Sequence, residues 1–191
     1  MTTRQRLLKG LLFLLNTGYY IGGYLGVNAL NQQRGIFHDL TLPGEASIPF
    51  VPFFLTGYTA IFLLVIYLYL IIDSFSFFKR TAAAFAICVS IHLPIFLLFP
   101  VRYNLRAVFD PSGSWLLEAM DFYYWIDLPY NCFPSLHVGM AFLCMFLLHR
   151  YNKKRSWPLV LLALFISSSV VLVKQHYILD IAGAIPLAYL S

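Results

Sequence analysis

The sequence between residues 50 and 72 reads FVPFFLTGYTAIFLLVIYLYLII and contains no charged side chain. An α-helix rises about 1.5 Å per residue, so about 20 apolar residues cross the ~30 Å hydrocarbon layer of a bilayer. Comparable apolar runs recur along the chain, which is 60% hydrophobic and 11% charged, whereas soluble domains carry about 25% charged residues. The sequence therefore predicts an all-α, polytopic membrane protein with a single membrane domain over residues 1–191.

We predict six transmembrane helices. The N-terminal segment has basic residues followed by leucines, as a signal peptide does, but it lacks a small-residue cleavage site, so we expect it to be retained as the first helix. The sixth helix has few residues before Ser191, which is expected of a short or truncated last helix. The predicted spans are 7–30, 50–72, 81–101, 134–149, 158–174 and from about 178 onward.

The longest predicted loop, residues 102–130, contains SWLLEAMDFYYWIDL between residues 114 and 128. Its aromatic rings are interspersed with acids, which is typical of a short helix lying in the membrane interface. Such a helix anchors the protein or, alternatively, forms a lip that gates access of the substrate.

Gly18, Gly22 and Gly26 repeat at a spacing of four within the first predicted helix. This pattern leaves one helix face without side chains and favours the close approach of another helix, or alternatively of a lipid tail.

The distribution of basic residues predicts the orientation in the membrane. Of the 13 Lys and Arg residues, nine lie on the side of the N-terminus and four on the other side, which places the N-terminus in the cytoplasm. The net charge of +5 is spread over short loops without forming a basic stripe, so we expect no nucleic-acid partner. Three scattered cysteines predict no disulfide framework.

Ionisable residues at the ends of membrane helices are candidates for function, because their burial is costly. Several are predicted to share the non-cytoplasmic face although they come from three separate parts of the chain. These residues are Arg102, Arg106, His137, Lys174, His176 and Asp180.

His176 and Asp180 are spaced by four residues, so in a helical segment they lie on one face about one turn apart. A carboxylate in this position accepts a hydrogen bond from one ring nitrogen and leaves the other free to attack. The alternative reading is an ordinary pair at the start of a helix.

The segment NCFPSLHVGM, residues 131–140, predicts a phosphate site at a helix N-terminus. Pro134 suits the first helical position, and Asn131 suits a cap just upstream. Backbone N–H groups near Ser135 would then bind a phosphate, with the Ser135 hydroxyl as a further donor. His137, in the first turn, would give a proton to a leaving oxygen.

These residues together predict phosphoryl transfer through a phosphohistidine. His176 attacks phosphorus, Asp180 orients it, His137 protonates the leaving alcohol, and the cations stabilise charge on the equatorial oxygens. The mechanism requires no metal or other cofactor. A zinc site using Cys132 and His137 lacks the paired ligand spacing of such sites.

At these residues the sequence resembles the type 2 phosphatidic acid phosphatase family, whose motifs are K-x6-R-P, P-S-G-H and S-R-x5-H-x3-D on a six-helix membrane core. The second motif appears as Pro134 to His137, and the third as Ser169 with His176 and Asp180. Val170 replaces the arginine of the third motif, Lys174 is a candidate substitute for its charge, and the first motif is barely present, with Arg102 and Arg106 as its candidates.

Leu136, in place of the motif's glycine, makes the sequence more similar to the branch that includes inositol phosphorylceramide synthases. The resemblance therefore implies a lipid-phosphate phosphatase or, alternatively, a phosphotransferase that passes the headgroup to a lipid alcohol. A small transporter or channel is the third interpretation, although the polar cluster lies at one interface and no internal repeat is visible. The expected partners are a lipid phosphate and the bilayer; the lipid and the oligomeric state stay open.

Overall fold

The computed structural model describes residues 1–191 and confirms the predicted all-α class. No β-strand is present, and one isolated bridge joins His38 to Val101. The helices are α1 (Thr3–Gln32), α2 (Leu55–Ile71), α3 (Phe75–Leu98), α4 (Trp115–Ile126), α5 (Leu136–Tyr151), α6 (Lys153–Leu172) and α7 (Ile178–Leu190).

Three segments are long and apolar enough to cross a membrane: Pro52–Ile71, Phe75–Leu98 and Lys153–Leu172. The helices α5 and α7 are apolar but shorter, and α1 is longer but less apolar. The predicted number of six spans therefore stays a prediction. The segment that was predicted to lie in the membrane interface forms a helix, α4, which exposes Trp115 and Trp125 and buries Met120.

Helix α5 lies at the centre of the bundle. It packs against α2, α3, α6 and α7, and every residue from Leu136 to Cys144 is buried. A helix that is apolar all round is stable when other helices surround it. The apolar side chains of α5 are therefore buried by neighbouring helices, although α5 is shorter than the three candidate spans.

The glycine pattern of α1 does not contact another helix of this chain, contrary to the expected helix packing. A Cβ added at Gly18, Gly22 or Gly26 would meet no atom within 4 Å, so this face is open. Instead α3 approaches α1 at Gly23, where a Cβ would overlap the side chain of Leu93. The contact between α1 and α3 therefore uses a neighbouring face of the helix.

The start of α5 and the start of α7 are held directly together. The backbone N–H of Ser135 donates to the carbonyl of Asp180 at 3.1 Å. A Cβ on Gly183 would overlap the ring of Phe133, so α7 approaches the segment before α5 as closely as a glycine permits. This contact brings the second and third motifs of the sequence to one place.

A turn between α6 and α7 positions His176. Lys174 has a φ of 56°, in the left-handed region that non-glycine residues rarely adopt. The backbone N–H groups of Gln175 and His176 both donate hydrogen bonds to the carbonyl of Val170, which caps the C-terminus of α6. The chain then reverses at once into α7.

Candidate active site

The ring of His176 is fixed by hydrogen bonds to Nδ1. Oδ2 of Asp180 lies 3.0 Å from this nitrogen, and the carbonyl oxygen of Cys132 lies 3.1 Å from it. Both partners are acceptors, so in the neutral ring Nδ1 carries the proton. The lone pair is then on Nε2, which makes no hydrogen bond within the protein. This is the arrangement that a histidine nucleophile requires.

Asp180 is fully buried and has a second structural role. Its Oδ2 also accepts the backbone N–H of Tyr177 at 2.9 Å, while Oδ1 has no partner. The carboxylate thus caps the first turn of α7 and orients His176 with the same oxygen.

The ring of His137 faces that of His176 at a distance of 6.3 Å between centroids. His137 is 3% exposed, and neither of its ring nitrogens has a hydrogen-bond partner. Burying an imidazole without a partner is unfavourable by about 1–3 kcal/mol. The structure thus places a histidine with unsatisfied nitrogens beside a histidine with a free nucleophilic nitrogen.

The N-terminus of α5 differs in detail from the prediction. The helix begins at Leu136, so Pro134 precedes it and does not occupy its first position. The cap is Ser135, whose hydroxyl accepts the backbone N–H of Val138 at 3.4 Å. The backbone N–H groups of Leu136 and His137 make no hydrogen bond in the protein and are free to bind an anion.

Asn131 does not cap α5, contrary to the prediction. Its amide donates to the carbonyl of Tyr24 at 2.8 Å, and its oxygen accepts from Asn31 at 3.1 Å. Both partners lie on α1, so Asn131 joins the loop to α1. The sequence could not show this pairing, because the partners are about one hundred residues apart.

The two predicted arginines lie in different environments. Arg102 is exposed, and its guanidinium lies 5.7 Å from the centroid of the Tyr130 ring. Arg106 lies over the ring of Tyr124 at 4.4 Å and donates to the carbonyls of Tyr124 and Asp127 and to the side chain of Gln175. Arg106 therefore supports the segment that carries His176, with its terminal nitrogens already bonded, while Arg102 makes no such contact.

The ammonium of Lys174 is buried next to Glu45. Its Nζ lies 3.5 Å from the carbonyl oxygen of Glu45. Burial lowers the pKa of Lys174, and the Glu45 carboxylate opposes this effect. The carboxylate of Glu45 itself caps the backbone N–H of Ile178 at 2.6 Å, a role that the sequence did not indicate.

Asp127 is, after Glu45, a second acidic residue whose role the sequence did not indicate. Asp127, at the end of α4, accepts hydrogen bonds from the hydroxyls of Tyr24 and Tyr58. The ring of Tyr58 stacks on that of His137 at 4.3 Å with an interplanar angle of 27°. The only signal in the sequence was an acid at the end of an aromatic segment, and nothing distinguished Tyr58 from the other tyrosines.

One group of side chains has the proximity required of metal ligands. Potential donor atoms of Cys132, His176 and Asp180 lie within 4.8 Å of one another. Burial raises the pKa of the Cys132 thiol well above its usual range, and the thiol donates to the carbonyl of Pro129 at 3.3 Å. Cys132 and His176 are already hydrogen-bonded within the protein, to Pro129 and to Asp180, so the proximity of the three side chains does not require a metal.

Comparison with known proteins agrees with this geometry. A family model described as PAP2 superfamily matches residues 47–191, which includes both the Pro134–His137 and the Ser169–Asp180 segments. No curated protein is significantly similar to the sequence. Members of this superfamily are phosphatases or phosphotransferases. The match extends over more than half of the chain. This integral membrane protein therefore belongs to the PAP2 superfamily and is an enzyme of the phosphatase or phosphotransferase type that acts on lipid phosphates.

Proposed function

We propose that the protein hydrolyses a lipid phosphomonoester or pyrophosphate through a phosphohistidine on His176, at the extracytoplasmic face of the membrane. The observation that carries this proposal is the pairing of His176, which has a free Nε2, with His137, which is buried without a hydrogen-bond partner 6.3 Å away. A phosphoryl group hydrogen-bonded over ~3 Å at each end accounts for the unsatisfied nitrogens.

In the first half-reaction Nε2 of His176 attacks phosphorus as the bond from phosphorus to the lipid oxygen breaks. Protonated His137 gives its proton to that oxygen, which leaves as the lipid alcohol. Asp180 offsets the positive charge that develops on the His176 ring, because its Oδ2 is hydrogen-bonded to Nδ1 at 3.0 Å.

Charge on the phosphoryl oxygens requires donors that are already in position. The free N–H groups of Leu136 and His137 at the N-terminus of α5 provide two of them. Lys174 is the proposed cation, because its ammonium is held 3.5 Å from the Glu45 carbonyl oxygen and its backbone forms the turn before His176.

Burial disfavours the protonated form of His137, and its neighbour Tyr58 offsets part of this cost. A cation above the face of a tyrosine ring gains about 0.5–2 kcal/mol. Asp127 accepts a hydrogen bond from the hydroxyl of Tyr58 and holds this ring in its stacked position.

In the second half-reaction water attacks the phosphohistidine, and neutral His137 takes its proton. The bond between phosphorus and Nε2 breaks, which releases inorganic phosphate and restores both imidazoles. A lipid alcohol in place of water gives the phosphotransferase reaction, and the presence of Leu136 in place of the motif's glycine favours that alternative.

The extracytoplasmic location rests on charge. Six basic residues lie at the end of the bundle opposite to His137 and His176. They are Lys79, Arg80, Arg150, Lys153, Lys154 and Arg155. The positive-inside rule places that end in the cytoplasm. A membrane-impermeant maleimide applied to intact expressing cells should label Ser112→Cys but not Lys154→Cys, and the reverse pattern would refute the orientation.

The reaction is tested by trapping the intermediate. Purified protein is mixed with a lipid labelled on phosphorus, either phosphatidic acid or a polyprenyl pyrophosphate, and is denatured during turnover. We expect protein-bound label that is stable to alkali and lost in acid, and none in His176→Ala. His149→Ala, on the cytoplasmic end of α5, is the matched control. Full activity of His176→Ala would refute the proposal, and label transferred to an added lipid alcohol would show a phosphotransferase.

A further inference from the structure

An apolar groove lies between α1, α2 and α3, with α5 behind it. Its volume is about 300 Å³, and 14 of its 17 lining residues are hydrophobic. Resting on the proposed function, we propose that this groove binds one hydrocarbon chain of the lipid phosphate while its headgroup lies between His137 and His176.

The groove reaches the catalytic site through two side chains. Phe62 lines the groove, and its ring meets that of His137 edge to face, with 6.2 Å between centroids. Met140 also lines the groove and lies three residues after His137, about one turn deeper along α5. A single ring, that of Phe62, therefore separates His137 from the groove, and the lipid chain of a phosphate held at His137 would pass this ring to enter the groove.

Lys9 lies next to the end of the groove that is distant from His137. Its ammonium donates to the carbonyl of Ile72 at 2.8 Å and lies 4.6 Å and 5.2 Å from the ring centroids of Tyr69 and Phe78. Both rings line the groove, and the cation behind them fixes their positions. These contacts order the aromatic end of the groove.

The size of the groove sets the length of chain that it holds. An apolar cavity of about 150 Å³ accommodates one benzene molecule, with its six carbons. A volume of about 300 Å³ thus holds on the order of ten carbons of one chain. Longer chains would continue past the groove into the bilayer.

Apolarity alone does not select a substrate chain over an ordinary membrane lipid, because lipid tails are as apolar as the lining side chains. Selection comes from the phosphate at the two histidines. Occupation of the groove by substrate must therefore depend on a phosphate headgroup, whereas occupation by bulk lipid must not. This difference gives the test.

The probe is hexadecyl phosphate with a photoactivatable diazirine in the middle of its chain, added to the purified full-length protein in micelles. We expect adducts on lining residues of α2 and α3 that unlabelled hexadecyl phosphate removes and hexadecanol does not. Val65→Trp fills the groove and should reduce labelling by at least about tenfold, as overpacking by about 1.4 kcal/mol requires. Leu63→Trp, on the exposed face of α2, is the matched control and should label as the wild type does.

Thr17→Phe fills the same groove from α1 and repeats the test if Val65→Trp does not elute as a folded protein. Equal competition by hexadecanol, or wild-type labelling of both filled variants, would overturn the tail site. Release of phosphate from the probe is measured in parallel. If phosphate is released but labelling does not depend on the headgroup, the proposed tail site is refuted and the proposed function is not. If labelling depends on the headgroup but no phosphate is released, the proposed function is refuted and the tail site is not.

Discussion

Oδ2 of Asp180 lies 3.0 Å from Nδ1 of His176 and also accepts the backbone N–H of Tyr177, so a single oxygen orients the proposed nucleophile and caps the helix that follows it. The carboxylate contributes charge, which an amide of the same shape lacks. This difference makes Asp180 testable without loss of the fold.

Asp180→Asn should lower kcat by about 10²–10⁴-fold and change KM little, because the amide still accepts hydrogen bonds but does not offset the charge of the phosphorylated ring. Steady-state kinetics with a lipid phosphate provide the measurement. Asp121→Asn, at an exposed position of α4, is the control and should retain wild-type rates. An unchanged kcat in Asp180→Asn would remove this carboxylate from the mechanism.

His137→Ala should impair substrates with poor leaving groups most, because an alkoxide requires a proton whereas a nitrophenolate does not. We expect a loss of about 10²–10⁴-fold for the lipid substrate and a much smaller loss for a nitrophenyl phosphate ester. The measurement is the ratio of kcat/KM values for the two substrates. Equal losses on both would contradict the role of His137 as an acid.

Tyr58→Leu should lower kcat more than Tyr58→Phe, because phenylalanine keeps the ring stacked on His137 while leucine removes it. Both variants leave Asp127 with one hydrogen-bond donor fewer and should lose about 1–3 kcal/mol of stability. Tyr24→Phe removes the other donor to Asp127 and serves as the control, with a similar loss of stability and a wild-type kcat. Similar kcat values for Tyr58→Leu and Tyr58→Phe would show that the ring is dispensable.

Substitutions of Lys174 can separate the effect of its backbone conformation from the effect of its charge. Its φ of 56° suits glycine, so Lys174→Gly should be more stable to thermal unfolding than Lys174→Ala by about 1 kcal/mol. Both variants lack the ammonium and should show similarly reduced kcat/KM. If only the alanine variant loses activity, the turn and not the charge is what the enzyme needs.

Removal of metal should leave the rate unchanged, because the proposed steps use only side chains and backbone groups. Dialysis against a chelator, followed by measurement of phosphate release, checks this. Cys132→Ser should also remain active, since the thiol donates a hydrogen bond to the carbonyl of Pro129 that a serine hydroxyl can also donate. Loss of activity on chelation that zinc restores would instead support a site formed by Cys132, His176 and Asp180.

The sequence by itself determined the helical class, the two histidine-containing segments and the presence of helix α4. Hydrophobic runs and the four-residue spacing of His176 and Asp180 are local properties. His176 lies in the turn before α7 and not, as the spacing predicted, in a helix shared with Asp180, so the two side chains meet because Asp180 reaches back over the N-terminus of α7. The same local reasoning placed the start of the fourth span two residues early, because Ser135 takes the cap and excludes Pro134 from the helix.

Only the tertiary structure decided which distant groups meet. It turned Asn131 toward α1, left Arg102 exposed, bonded Arg106 to Gln175, and placed Tyr58 and Asp127 beside His137. It also opened the face at Gly18, Gly22 and Gly26 that the spacing predicted to be packed. The physical reason is that each of these contacts joins residues far apart in the chain. Such contacts depend on how the helices pack around α5, and this packing cannot be predicted from the spacing of residues within one segment.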